Sequence, residues 1–312
     1  MDRSSPSRAA LRVALRRAAH QIYDAPPLVL DDPIAIPMLG PYAGQLQRTP
    51  GRNPAHKPRP HSIGLRAFLV ARSRYAEDLL AQAVARGLSQ YVLLGAGLDT
   101  FAHRNPFPHL RVFEVDHPST QQWKRDLLGA SNLPSPARLA YAPVDFELHS
   151  LAAQLRAAGL DSSVPSFFAW LGVVPYLTLE AFRATLAFIA SQPHGSGVVL
   201  DYTQPRAALS PNEQLARDSL ASRVYRAGEP FHLFFTPTEI AASLAAFPTR
   251  KDIGSQELSG FSNIEDMNSA GLIAFRNIED LGSPEINARY FAHRTDALKL
   301  HTTAARLLSA WI

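Results

Sequence analysis

Residues 91–118, YVLLGAGLDTFAHRNPFPHLRVFEVDHP, hold the side chains and turns best spaced to do chemistry. Gly95, Ala96 and Gly97 follow one apolar run, and Asp116 closes a second run 19 residues beyond Gly97. Glycines at such a turn let the backbone approach a ligand, because no Cβ intervenes. An acid about 20 residues further on accepts hydrogen bonds from ribose hydroxyls in nucleotide-binding βαβ units. The chemistry this spacing predicts is capture of a nucleoside. A dinucleotide site wants a third glycine where this chain has Thr100, so nothing draws the helix against a pyrophosphate. Adenosine without a pyrophosphate fits better, and that points to S-adenosyl-L-methionine (SAM). Two glycines alone fit an ordinary strand–turn equally well; the strand-end acid at this distance separates the readings.

The elements around these residues must position them. Residues 91–94 are apolar throughout and too few for a helix, which suits a strand buried on both faces. Residues 112–115 read as the next strand, 120–128 as a helix, and 137–144 as a third strand ending at Asp145. Residues 166–171 and 197–202 read as further strands, with a helix over 178–192 between them. Strands separated by helices predict a doubly wound, mostly parallel α/β sheet with the ligand at its carboxyl edge. Upstream, residues 65–87 have helical composition and end at Gly87, a natural stop. Residues 7–20 form a helix with Arg8, Arg12 and Arg16 on one face, beside Arg17. That face reads as solvated. Residues 211–228 and 237–247 also read as helices, with the apolar, aromatic GEPFHLFFTP between them as core or pocket wall.

GAGLDT, FEVDHP and the PVDF of residues 143–146 occur in that order. Together they resemble the leucine carboxyl methyltransferase-like family of class I SAM-dependent methyltransferases, many of whose bacterial members sit in natural-product pathways. The resemblance covers nearly the whole chain. It implies a seven-stranded, Rossmann-like sheet with an antiparallel last strand, and an N-terminal helical cap. It also implies site residues. ARSRYAED at 71–78 resembles the family's A-R-T-R-x-x-D-D, whose arginine grips the carboxylate of the donor; Arg72 is the first choice and Arg74 the second. An arginine fork suits a planar carboxylate. Asp116 with the adjoining His117, and Gly95, Ala96 and Gly97, complete the methionine and ribose side. Asp145 is expected to accept from the adenine amino group, with Phe146 against the ring. Relatives carry A-E-G-L-L-x-Y-L after the fourth strand, where this chain has AWLGVVPYL, so Leu171 stands where their glutamate lies near the donor's amino group. LDDPIAIPML resembles the family's D-D-P opening and reads here as a turn capping a short helix.

Composition narrows the function further. There is no cysteine, which excludes disulfides, thiolate zinc sites and a cysteine nucleophile. No run of 18 apolar residues occurs, so no transmembrane helix is expected. The N-terminus lacks the apolar core of a secretory signal, and a cytoplasmic enzyme is the expectation. Residues 1–74 carry 12 Lys/Arg against four acids, while the chain as a whole is only +4, so the remainder is net negative. A nucleic-acid channel needs basic residues around the active cleft, and this distribution argues against one. No metal ligand set stands out. The expected domains are 1–74, a helical cap with a basic, proline-rich lid at 48–61, and 75–312, the SAM-binding methyltransferase domain. FSNIED at 261–266 recurs as FRNIED at 275–280, and DIGSQEL at 252–258 as DLGSPEI at 280–286, so 251–290 reads as a local duplication adding strand-like material at the sheet edge. INARYFAHRTDALKL resembles the family's closing strand pair.

The predicted activity is methyl transfer to oxygen, to a small-molecule carboxylate. A carboxylate is already ionised near neutral pH, so no catalytic base is named. Tyr176 and Phe231 are expected to border the acceptor, with Arg289 or Tyr290 from the closing strands. Arg289 would pair with the acceptor carboxylate, or is simply a surface arginine. The alternatives are a phenol or enol oxygen, or a carbon, of a polyketide-type molecule; a NAD-dependent oxidoreductase; and, given Leu171, a SAM-binding protein without catalysis. Nothing in the sequence fixes the oligomeric state.

Overall fold

The computed structural model describes residues 6–48, 60–145, 149–226, 228–247 and 274–312. Seven strands form one sheet: β1 (Gln90–Leu94), β2 (Arg111–Asp116), β3 (Leu139–Pro143), β4 (Ser166–Trp170), β5 (Gly197–Thr203), β6 (Arg276–Leu281) and β7 (Ala305–Trp311), in the order β3-β2-β1-β4-β5-β7-β6. The first five run parallel, and β7 inserts antiparallel between β5 and β6. The expected seven-stranded α/β sheet with an antiparallel final strand is therefore present. FRNIED of the second repeat copy forms β6 at the edge; the first copy at 261–266 lies outside the described residues, as does most of the proline-rich stretch at 48–61.

The central strands are apolar at every position because both faces are covered. Tyr91 and Leu93 of β1, with Phe167 and Ala169 of β4, face helix α2 (Pro60–Ala85). Val92, Leu94, Phe168 and Trp170 point the other way, into a cluster with α5 (Leu151–Ala157), α6 (Leu179–Ala190) and α8 (Pro237–Ala245). Period-two alternation between two apolar layers is what a strand in a doubly wound sheet requires. The remaining helices are α1 (Arg8–Tyr23), α3 (Phe101–Arg104), α4 (Pro118–Ala130), α7 (Pro211–Tyr225) and α9 (Ser283–Tyr290).

Helix α1 packs through Ala14 and Ala18 against Leu39, Leu98 and Leu127. Its start is fixed by Ser7, whose hydroxyl accepts from the Ala10 amide. The Ser7 amide donates to Thr120 Oγ1 at 3.1 Å and the Ala9 amide to Glu229 Oε2 at 2.9 Å, so α1 bridges α4 and the loop after α7. Residues 283–290 are helical rather than part of a closing strand pair. Glu285 takes the Gly282 amide at 2.9 Å and Pro284 sits in the first turn, both helix-start devices.

Candidate active site

A cavity of about 820 Å³ opens at the carboxyl ends of β1, β2, β4 and β5. It lies where the strand order turns from β1-β2-β3 to β4-β5, the usual ligand crevice of such sheets. Its size is near the upper end of small-molecule sites, roughly 300–1,000 Å³, and leaves room for a donor and a small acceptor together.

The glycine turn forms one wall. Gly95 has φ +70°, open to glycine without strain, and a Cβ there would collide with the Val173 side chain. The Gly95 and Ala96 amides donate to Val115 O at 2.8 and 2.9 Å. The Gly97 amide donates to Asp116 Oδ2 at 2.5 Å, and the His117 amide to Oδ1 at 2.7 Å. The three turn amides are thus committed to β2 and its terminal acid, which leaves none of them for a pyrophosphate. Asp116 is aimed by two backbone donors, and burial pushes its pKa above the usual carboxylate value. His117 caps α4 through its ring nitrogen and lines the cavity, as does Asp145, two residues beyond β3. Their side chains are 3.9 Å apart. Phe146 lies outside the described residues.

Arg72 projects from α2 into the cavity, nearly buried, and donates to Asp201 Oδ2 at 3.0 Å. Asp201 Oδ1 accepts from the Gly172 amide. Gly172 has φ +74°, and a Cβ there would lie 2.7 Å from the Arg72 guanidinium, so glycine is needed for the arginine to lie flat against the turn. Leu171 lines the same wall. Arg74, two residues on and so turned to the opposite side of the helix, points outward and pairs with Asp78 at 2.7 Å. It does not border the cavity. Arg289 pairs with Glu279 at 2.6 Å, and the Tyr290 hydroxyl donates to Asp78 at 3.0 Å. Both belong to α9, and neither borders the cavity.

Tyr176 and Phe231 do border it, with ring centroids 5.1 Å apart. Burial, with Glu229 nearby, pushes the Tyr176 phenol up to about 12, so it stays protonated and can only donate or pack near neutral pH. The GEPFHLFFTP stretch divides: Phe231 faces the cavity, whereas Phe235 joins the core.

Three features were not legible in the sequence. Arg12 and Arg16, expected on a solvated face, line the cavity, because α1 crosses the glycine turn with Ala10 3.2 Å from where a Gly97 Cβ would sit. Asp201 and Glu229 complete the wall, and only the first carried a signal, an acid near the end of a strand. Finally, Asp32 of the D-D-P turn belongs to an ion network under α1. Arg17, at 3% exposure, donates to Asp32 at 2.8 Å, to Thr100 Oγ1 at 2.8 Å and to Asp99. The last three residues of GAGLDT therefore anchor α1 rather than touch a ligand through Thr100.

Among the described residues no group of three or more His, Asp or Glu side chains could hold a metal ion, and no helix is long and apolar enough to cross a membrane. The family description "Leucine carboxyl methyltransferase" matches residues 10–190. YktD of Bacillus subtilis (strain 168), which carries the name of a SAM-dependent methyltransferase, is 32% identical over 263 residues, 77% of this chain and 85% of that protein. A similarly named protein of Mycobacteroides abscessus is 35% identical over 170 residues, 54% of each chain. Two crystal structures share the fold: a DUF574 family protein from Streptomyces avermitilis (TM-score 0.54, 15% identity, 99% of this chain and 98% of that one) and one named as a methyltransferase from Thermobifida fusca (TM-score 0.53, 17% identity, 99% and 96%).

Proposed function

We propose that this chain, which belongs to the leucine carboxyl methyltransferase family of SAM-dependent methyltransferases, methylates the carboxylate of a small molecule to give a methyl ester. The observation that carries the carboxylate reading is an aromatic, apolar acceptor wall at Tyr176 and Phe231 whose described phenol and carboxylates are protonated or already partnered. The cavity's phenol, Tyr176, is held protonated; its described acids Asp99, Asp116, Asp201 and Glu229 are each engaged by an arginine or a backbone amide, and Asp145 lies beside His117. A carboxylate needs no base, only alignment and exclusion of water.

Bound SAM supplies a methyl group already activated on a sulfonium. The chain's own residues do the rest. Asp116 accepts from the ribose hydroxyls while its other contacts keep it in place. Asp145 accepts from the adenine amino group. Arg72 and Asp201 pair with each other across the turn at Gly172 and offer one charge of each sign. In this reading Arg72 takes the donor's carboxylate and Asp201 its ammonium, the contact that Leu171 cannot make. Tyr176 and Phe231 flank the acceptor and keep water from its oxygen.

A second reading, a phenol or enol acceptor, draws on His232, whose side chain is exposed on the cavity wall. A phenol, with a pKa near 10, needs such a base. The two readings part in the pH dependence of kcat/KM. A carboxylate acceptor gives a rate that is flat from about pH 6 to 9, because the acid is ionised throughout. A phenol worked on through a base gives a rate that rises within that window, set by the base. A climb that His232→Gln abolishes would overturn the carboxylate reading.

A further inference from the structure

Arg12 and Arg16 on α1 and Arg223 on α7 converge on the acceptor end of the cavity. No carboxylate among the described residues lies within ion-pair distance of any of the three. Arg12 Nη1 is fully buried and has no hydrogen-bond partner. Arg16 Nη1 donates only to the Arg12 carbonyl, at 2.9 Å. The wall's described acids have other partners: Asp99 has Arg17, Asp201 has Arg72 and the Gly172 amide, Glu229 the Ala9 amide, Asp116 the Gly97 and His117 amides, and Asp145 lies beside His117. Burial, together with the charges of Arg223 and Arg12, lowers the Arg16 pKa to about 10. Like charges gathered in a cavity without a counter-ion are unfavourable, and the arrangement becomes favourable once an anion sits among them. Guanidinium forks suit carboxylate and phosphate oxygens alike.

We propose that Arg12, Arg16 and Arg223 form an anion site at the acceptor end of the cavity that recognises a second anionic group, carboxylate or phosphate, on the molecule to be methylated. This rests on the reading that the cavity holds an acceptor beside SAM. The reacting carboxylate itself is not the group held here. Several charge-assisted hydrogen bonds would draw off the electron density it needs for attack on the methyl carbon. The substrate class is thus a small acid with two anionic ends and an apolar body, matched to Leu220, Val224, Tyr176 and Phe231 of the same cavity lining.

The test uses the full chain saturated with S-adenosylhomocysteine, so that the donor's own carboxylate is already accommodated. Inorganic phosphate and malonate are titrated separately while thermal unfolding is followed. Both anions should raise the wild-type Tm, and the one acting at lower concentration identifies the preferred group. Arg16→Met should melt about 2 °C higher than wild type in anion-free buffer, the scale of one modest interaction removed from a chain of this size. It should also lose the anion-dependent rise. Arg223→Met, at an exposed position on α7, should do the same without disturbing α1. Equal anion effects in wild type and both variants would overturn the proposal. So would variants that melt lower in anion-free buffer, or an anion effect that vanishes once S-adenosylhomocysteine is bound, which would assign the arginines to the donor. Because no methyl transfer is measured, a methyl-ether product would defeat the carboxylate reading and leave this result intact.

Discussion

Arg17→Met should cost about 3–5 kcal/mol of folding stability at pH 7, the usual loss when one partner of a buried ion network is removed. Among the described residues Arg17 is the one cation ion-paired to both Asp32, which is fully buried, and Asp99, which is partly buried at the cavity wall. Thr100 Oγ1 donates to Asp32 Oδ2 at 2.7 Å, and Arg104 reaches the same acid only at 3.4 Å. Without the guanidinium, two neighbouring carboxylates are left facing each other under α1. Burial alone would raise the Asp99 pKa, but Arg17 and Arg104 hold it well below the usual carboxylate range. A depressed acid contributes stability above its unfolded pKa, near 3.9, and that contribution is lost as pH falls below it. The gap between wild type and Arg17→Met in urea unfolding should therefore be widest near neutral pH and narrow below about pH 4. A loss under 1 kcal/mol at pH 7 would show that the network is not what holds α1 across the cavity.

Asp116→Ala should weaken SAM binding by about 1.5–3 kcal/mol, roughly ten- to a hundred-and-fifty-fold in Kd. The acid sits at the end of β2, takes the Gly97 and His117 amides, and keeps lone pairs for a ligand in the cavity. The substitution removes those acceptors and frees the Gly97 amide, so the turn loses definition as well. Calorimetry on folded variant protein reads the effect directly. Unchanged affinity would remove Asp116 from the donor site.

Both predictions depend on residues of differing legibility. The glycine turn and Asp116 could be read from the sequence because their relation is carried by the backbone: strand, turn, helix, strand, acid, at a spacing that the βαβ unit imposes. Leu93 and Leu94 announce their strand because both faces of the sheet are covered. Arg16 could not be placed, since helical periodicity shows that Arg8, Arg12 and Arg16 share a face but not what that face meets. The answer came from Ala10 seating on Gly97, a contact 87 residues apart in the chain. Asp201 and Glu229 likewise depend on strand order and on where α7 ends. Arg289 and Tyr290 misled for a different reason. Pro284 and Glu285 mark a helix start, and a resemblance to closing strands obscured that local signal.

The reaction proposed for this chain is transfer of a methyl group from SAM to a carboxylate. It is tested most directly by incubating the protein with methyl-labelled SAM and a panel of carboxylic and phenolic acids, then treating the isolated labelled product with mild alkali. The label should be released as methanol, as a methyl ester requires, with one S-adenosylhomocysteine formed per methyl transferred. Label that survives alkali, as in a methyl ether or a C-methyl group, would contradict it.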